Sequence, residues 1–313
     1  MARILVTGGG GFVGAAVVEA LAARGDEVTA VDLAIGPTLA RLADSHPNLK
    51  AVVGEVSEWA RMAALLVEQK PEAIVHCAAV VSPPHSIASP FRTIEVNIMG
   101  SMNLFEAMRL HGVKRMVHIS SEETYGPFQA PAAAETHPQQ PLYPYGISKL
   151  AVEHLGRSYH ELYGIEVLHV RPCWVYGPAL PRPRIPKNLV DAALAGQPLH
   201  LPAGGDFTVD HTHIDDVVWG ILAVLDKPEH RFDAYNLGSG TAPSLFEIVD
   251  IIKELIPGAD ISVGPGNYLM GDLYPAVKKG ALDLTRSTQE LGYRPRFDIR
   301  TGLSHFIDAM RAA

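Results

Sequence analysis

Cysteine is almost missing from this 313-residue chain: Cys77 and Cys173 stand alone, far apart and without metal-ligand spacing. A disulfide framework is thereby excluded and a cysteine zinc site disfavoured, and a reducing cytoplasm is the expected setting. No run of five or more basic residues offsets the formal charge of −8. The electrostatic footprint of a nucleic-acid or membrane-surface binder is therefore missing. No apolar run approaches the roughly 18 residues that a membrane-spanning helix needs. The chain also passes from Met-Ala-Arg straight into an apolar strand pattern, with no leader peptide in view. Neither a repeat of about 20 to 50 residues nor a low-complexity tract occurs. These absences leave a soluble enzyme acting on a small molecule, with no nucleic-acid or membrane partner.

What is present is a core and a rhythm. Hydrophobic residues make up 47% of the chain, enough for one large α/β domain with a smaller lobe. Apolar runs at Arg3 to Thr7, Glu27 to Asp32, Lys50 to Val53, Ala73 to Cys77, Arg115 to Ser120 and Val167 to Val170 read as buried parallel strands. Helical spacing between them, as in Phe12 to Arg24 and Trp59 to Glu68, makes the crossovers helical and right-handed. The expected fold is α/β, a Rossmann-like doubly wound parallel sheet with a smaller, discontinuous C-terminal lobe. Past residue 172 the prolines at 172, 178, 181, 183 and 186 break the pattern. A helix is expected from Pro186 toward Gly196, with others at Leu245 to Ile256 and Arg300 to Arg311. The domain reading is 1–172 for the dinucleotide, 173–313 for the substrate, with 209–239 packing back on the first.

The first strand leads into Thr7-Gly8-Gly9-Gly10-Gly11-Phe12-Val13-Gly14 and then a helix. That context turns a glycine loop into a dinucleotide site, because helix-start amides and the helix dipole hold a pyrophosphate. Gly8, Gly11 and Gly14 fit one known spacing, and Gly9, Gly11 and Gly14 another, so spacing alone leaves the subfamily open. Asp32 closes the second strand 18 residues past Gly14, where a carboxylate accepts from ribose hydroxyls and repels the extra phosphate of NADP. No cation follows at Leu33 or Ala34, so NAD is the expected cofactor. A turn or helix cap is the alternative for Asp32. Glu55, after the third strand, faces either the adenine amino group or solvent.

Tyr145 and Lys149 stand at i and i+4, on one face of a helix and one turn apart. A free phenol ionises near pH 10, and bringing it close to neutrality takes about 4 kcal/mol. A neighbouring ammonium has the right sign to supply it. Ser121 ends the fifth strand at the sheet's carboxyl edge and is the expected third member, donating to the substrate oxygen; a turn-forming serine is the alternative.

Together these stretches resemble the extended short-chain dehydrogenase/reductases, the NAD-dependent epimerase/dehydratase family. TGGGGFVG is similar to that family's cofactor loop, HCAA at His76 to Ala79 to its fourth-strand motif, and Asn97 to its central-helix asparagine. SSEETYG at Ser120 to Gly126 is similar to its serine motif, YGISK to its catalytic pair, and RPCWVYGP at Arg171 to Pro178 to its sixth-strand motif. The resemblance spans almost the whole chain. It implies catalytic roles for Ser121, Tyr145 and Lys149 and a cofactor lining of Cys77, Ala78, Ala79, Asn97 and Cys173, with Val56, Ile119, Pro172 and Val175 beside them. It also implies a homodimer through two paired long helices.

Substrate and reaction are less sharply written. Glu122 and Glu123 fall where the family's 4,6-dehydratases carry an acid and a base, but loop carboxylates facing water are the preferred reading. Relatives acting on sugar nucleotides usually carry an arginine just before the residue matching Asp210, and a second in the stretch similar to Leu269-Met270-Gly271-Asp272. Val209 and Leu269 stand there instead. Losing both bidentate donors weakens diphosphate binding by several kcal/mol, at roughly 1.5 to 3 kcal/mol per charged hydrogen bond. A nucleotide-free substrate is the reading that this favours, with Arg182 and Arg184 of the proline-rich loop either recognising a carboxylate or phosphate or simply facing solvent. Val81, Trp174, His137 and His211 complete the substrate candidates. His211 and His213 form a His-x-His, read as structural or substrate-facing; no metal is expected. The leading functional reading is an oxidoreductase acting on a secondary alcohol of a sugar, sugar acid or similar polyol. An epimerase retaining NAD comes next, then a dehydratase, with a non-catalytic NAD-binding protein last.

Overall fold

Branched and small apolar residues with both faces covered form the strands, as buried parallel sheets require. They run Arg3–Thr7, Glu27–Asp32, Leu49–Val53, Ala73–His76, Arg115–Ile119, Glu166–Pro172 and Ala234–Leu237 in a computed structural model that describes residues 1–270 and 274–312. Gly271 and Asp272 of the Leu269 stretch lie outside the described residues. Across the seven-stranded sheet the third strand comes first, then the second, first, fourth, fifth and the two later ones. The order reverses between the first and fourth strands, which pair in parallel with Thr7 opposite His76. Ligands of doubly wound sheets bind at such a reversal, outside the carboxyl ends.

Two compact units divide the chain. The first comprises Met1–Thr124, Gln139–Arg171 and Val218–Tyr235; the second comprises Tyr125–Pro138, Pro172–Val217 and the chain from Asn236 onward. In the first unit, helices Trp59–Gln69, Gly100–His111 and Pro144–Tyr163 lay Met62, Leu65, Leu104, Phe105, Met108 and Val152 against Leu5, Ile74 and Met116 of the sheet. Each such fully buried side chain contributes about 1.5–3 kcal/mol.

In the second unit, helix Lys187–Leu194 follows Pro186, and Gly196 takes φ 63° just beyond it, as the proline and glycine signals indicate. Helix Leu245–Leu255 starts at a reciprocal cap between Ser244 and Glu247. Asp210 is fully buried and accepts from Ser239 N, Gly240 N and Leu282 N. That carboxylate pins two segments of the unit together.

Candidate active site

The glycine loop has the shape that its sequence implies. Gly8 takes φ 68°, and a Cβ there would lie 2.6 Å from Ala78 N, so the fourth strand's HCAA end comes up directly against the loop. A Cβ on Gly14 would lie 2.0 Å from Gly8 O. Helix Phe12–Ala23 begins at Gly11 with no side-chain cap, which keeps its first-turn amides for an anion. Asp32 Oδ2 accepts from Gly10 N at 2.8 Å and Oδ1 from Leu33 N at 2.7 Å. The carboxylate at the second strand's end is therefore fixed at the rim of the loop. Leu33 is 61% exposed. These features suit a dinucleotide: a cradle that side chains would fill, amides for its phosphates and a carboxylate for its ribose.

Other expected cofactor residues have local partners. Glu55 is held by Ser57 and Arg92, which keep its carboxyl below the usual range. Val56 packs its side chain on Gly100 while its carbonyl accepts from Asn103. Burial pushes the Cys77 thiol up to about 12, against the pull of Lys149, so it is an unreactive wall. Ala79 is half-buried, Val81 exposed, and Phe12 and Val13 half-buried. Within the second unit Pro172, the last residue of the sixth strand, and Cys173 are buried, and Val175 is half-buried.

Tyr145 and Lys149 are both buried on helix Pro144–Tyr163, with Lys149 Nζ 5.9 Å from the centre of the Tyr145 ring. The ammonium donates to Ile119 O at 2.6 Å, which ties the helix to the fifth strand's carboxyl end. Burial lowers the Lys149 pKa to about 8, although Cys77 and Glu153 oppose it. The folded-state value lies below the ordinary 10.5. The stability this residue contributes is therefore full above that pH and lost as the pH falls through about 8. Titration of ¹⁵N-labelled lysine by NMR should show one Nζ with a midpoint near 8, absent in Lys149→Met; a midpoint near 10 contradicts the burial account.

Asn97 sits in a π-helical stretch, Ile94–Met99, of the kind that often marks functional sites. Its side chain receives Val80 N and donates to Val80 O and to Ser148 Oγ, which in turn donates to the Tyr145 carbonyl. Its own carbonyl accepts from Ser101 Oγ, which also meets His76 Nε2 at 2.9 Å. Because that hydroxyl donates to Asn97, His76 must donate to it, leaving His76 Nδ1 to accept from Thr7 Oγ1 at 2.7 Å. A directed chain of hydrogen bonds thus joins the cofactor loop's strand to the backbone of Tyr145. Sequence reading found Asn97 but not His76, Ser101 or Ser148.

Ser121 is buried, and its hydroxyl donates to Glu122 Oε2 at 2.7 Å while accepting from Glu123 N. Glu122 and Glu123 do not face water: they are 3% and 8% exposed, in a short 3-10 turn. The backbone of this turn packs tightly on the Tyr145 helix, where a Cβ on Gly146 would lie 2.6 Å from Glu123 O. Glu153, fully buried, was missed by sequence reading. It accepts from Ser120 Oγ at 2.7 Å and from Arg171 Nη2 at 2.5 Å. Burial pushes its carboxyl up, but Arg171 and Ser120 outweigh that and hold it far below the usual range. The signal was available: Glu153 stands four residues after Lys149, on the same helical face.

In the second unit, Val209 is fully buried and offers no donor, and Leu269 is 43% exposed. Arg184 lies over Trp174, its guanidinium carbon 4.2 Å from the ring centre, and Arg182 is half-buried nearby in sequence. The two histidines of the His-x-His part company. His211 faces Trp174, whereas His213 stacks on Phe297 and meets His305. His213, Asp215 and His305 each bring one ligand-type atom within 4.8 Å of the others, a grouping that no local sequence spacing announces. His137 is not a free substrate contact, since Nε2 accepts from Gln129 N and Nδ1 donates to Pro138 O.

The sequence model of the NAD dependent epimerase/dehydratase family matches residues 4–238. A UDP-glucose 4-epimerase of Mycolicibacterium smegmatis is 31% identical over 99% of this chain and 98% of its own. A dTDP-glucose 4,6-dehydratase of Xanthomonas campestris pv. campestris is 30% identical over 98% and 93%. Among solved structures, the Thermus thermophilus UDP-glucose 4-epimerase in complex with NAD superposes with a TM-score of 0.86 at 29% identity, over 99% of both chains. Among the described residues no helix is long and apolar enough to cross a membrane.

Proposed function

This chain belongs to the NAD dependent epimerase/dehydratase family, and from that premise we propose that it oxidises a secondary alcohol of a sugar, sugar acid or similar polyol. The observation that carries this reading is the buried Tyr145 and Lys149 pair, tied through Lys149 Nζ to the carboxyl end of the fifth strand. In this reading Tyr145 takes the hydroxyl proton, and the Lys149 ammonium stabilises the phenolate. Ser121 exchanges its bond to Glu122 for one to the substrate oxygen. NAD, when bound, supplies the hydride acceptor, held by the Gly8 to Gly14 loop and Asp32. The cofactor is assigned to the first unit and substrate recognition to the second.

Val209 supports a substrate without a nucleotide, because a buried valine gives a diphosphate nothing to bind. A second reading, an epimerase that returns the hydride from retained NADH, is favoured by the 31% identity to a UDP-glucose 4-epimerase. The two readings separate in the tube: the epimerase is purified with NAD and needs none added, whereas the dehydrogenase consumes one NAD per turnover. A panel of sugars, sugar acids and sugar nucleotides, followed by NADH absorbance and product NMR, tests both. Turnover confined to UDP-, GDP- or dTDP-sugars would overturn the nucleotide-free reading.

Two further parts of the proposal concern assembly and place. A homodimer is supported by Met99, Leu110, Ile147 and Leu162, which are large, exposed and carried on the helical segments of the first unit. A cytoplasmic location is supported by two free cysteines.

Asp32→Asn should weaken NAD binding about 10- to 100-fold, the worth of one charge-assisted ribose contact, and narrow the preference over NADP. Calorimetric titration with each dinucleotide checks this. An unchanged NAD affinity would leave Asp32 with only its turn-capping role.

A further inference from the structure

Trp174 and His211, both in the second unit, are 5% and 2% exposed, yet Trp174 Nε1 and His211 Nε2 have no hydrogen-bond partner among the described residues. Buried polar atoms without partners are rare and call for an explanation. Their characters are opposite. Indole N–H can only donate. His211 Nδ1 lies 3.1 Å from the Val209 carbonyl, which can only accept, so Nδ1 carries the proton. Burial, with Arg184 nearby, lowers the His211 pKa to about 3. The ring is neutral and Nε2 is a bare acceptor.

One donor and one acceptor on rings whose centres are 5.6 Å apart match a single chemical group. A hydroxyl accepts from one partner and donates to the other. A carboxylate or phosphate oxygen satisfies Trp174 but meets the His211 lone pair with its own. Above the indole lies Arg184, half-buried, with no carboxylate paired to it among the described residues. Phe207 and Tyr268 pack on the sides of the indole, at 5.3 and 5.8 Å between ring centres. Trp174 itself takes φ 27°, a left-handed conformation that a bulky residue adopts only when its surroundings impose it.

We propose that Trp174 and His211 together read one hydroxyl of the substrate while Arg184 swings off the indole to take an anionic group on the same molecule. The ligand class is a polyol bearing a carboxylate or a phosphate monoester. This rests on the nucleotide-free reading of the substrate and makes it specific: Trp174 and His211 select the hydroxyl, and Arg184 selects the charge.

The test is equilibrium binding to NAD-loaded protein, by calorimetry, with D-glucuronate, D-glucose 6-phosphate, D-glucose and UDP-glucose as probes. One or both anionic sugars should bind, and which one does distinguishes carboxylate from phosphate. Trp174→Phe keeps the ring and removes the donor; His211→Phe removes the acceptor. Each should weaken the anionic sugar about 10-fold, while Arg184→Gln brings it level with D-glucose. Tyr145→Phe should keep the preference for the anionic sugar over D-glucose, so a failure of the chemistry and a failure of this pocket read differently. Unfolding midpoints identify variants that fail to fold. For those, tryptophan fluorescence of the Trp59→Phe, Trp219→Phe protein decides, since Trp174 emission must change on adding the anionic sugar. Wild-type affinity in well-folded Trp174→Phe and His211→Phe, tighter binding of UDP-glucose than of both anionic sugars, or no binding by any probe overturns the proposal.

Discussion

Tyr145→Phe is expected to lower kcat by about 10²- to 10⁴-fold, the usual worth of a positioned acid–base group, while leaving NAD affinity close to that of wild type. The substitution removes one oxygen from a buried ring and leaves its packing in place. The glycine loop and Asp32 that are assigned to the dinucleotide do not depend on that oxygen. Loss of kcat with retained cofactor binding is therefore the signature of a lost proton acceptor. Steady-state kinetics on whichever substrate the panel identifies, with calorimetry for NAD, measures the two separately. A Tyr145→Phe enzyme turning over within a few-fold of wild type would remove the assignment.

The second large effect concerns stability. Glu153→Ala should cost about 3–5 kcal/mol, because it leaves the Arg171 guanidinium buried without its carboxylate. That is a large share of the 5–15 kcal/mol by which a domain is ordinarily stable. Arg171 is 1% exposed and has no route to solvent from its place on the sixth strand. The same carboxylate takes Ser120 Oγ, next in sequence to Ser121, so it also locks the serine turn to the helix bearing Tyr145 and Lys149. The sign with pH follows: the folded-state value lies below the ordinary 4.5. The pair's contribution is therefore complete above that pH and lost as the medium is acidified through the folded-state value. Denaturant unfolding at neutral and acid pH checks both statements. A Glu153→Ala midpoint matching wild type would show that Arg171 finds another partner.

Much of the fold was legible because a doubly wound sheet writes its strands as plain apolar runs. The first two strands, Arg3–Thr7 and Glu27–Asp32, have the limits that the runs indicate. The sixth does not: it continues through Arg171 and Pro172 rather than ending at Val170. A charged residue ends an apolar run on paper, and it is the buried carboxylate of Glu153, on the helix that precedes the strand, that lets Arg171 sit in the core. The same blindness misplaced Glu122 and Glu123. Adjacent carboxylates after a strand read as solvated, and nothing local reveals that the turn carrying them packs against Gly146 of the next helix. The cofactor loop and the Tyr145 and Lys149 pair were legible for the opposite reason: each is written as a spacing within eight residues, although distant residues such as Ala78 and Ile119 complete its setting. The hydrogen-bond chain from Thr7 through His76, Ser101 and Asn97 to Ser148 was not, since it joins four segments that only the folded sheet brings together. The His211 and His213 pair looked like one motif, since residues two apart share a face of a regular strand, but this stretch is irregular and turns them to different neighbours, Trp174 and Phe297.

The most direct measurement follows the hydrogen itself. The substrate picked out by the panel would be prepared with deuterium on the carbon bearing the reacting hydroxyl, and the nicotinamide examined after one turnover. Deuterium at C4 of the recovered nicotinamide with wild-type protein, and none above background with Tyr145→Phe, is the expected result. Product formed with the label lost to water, or label transferred equally well without the Tyr145 hydroxyl, would contradict it.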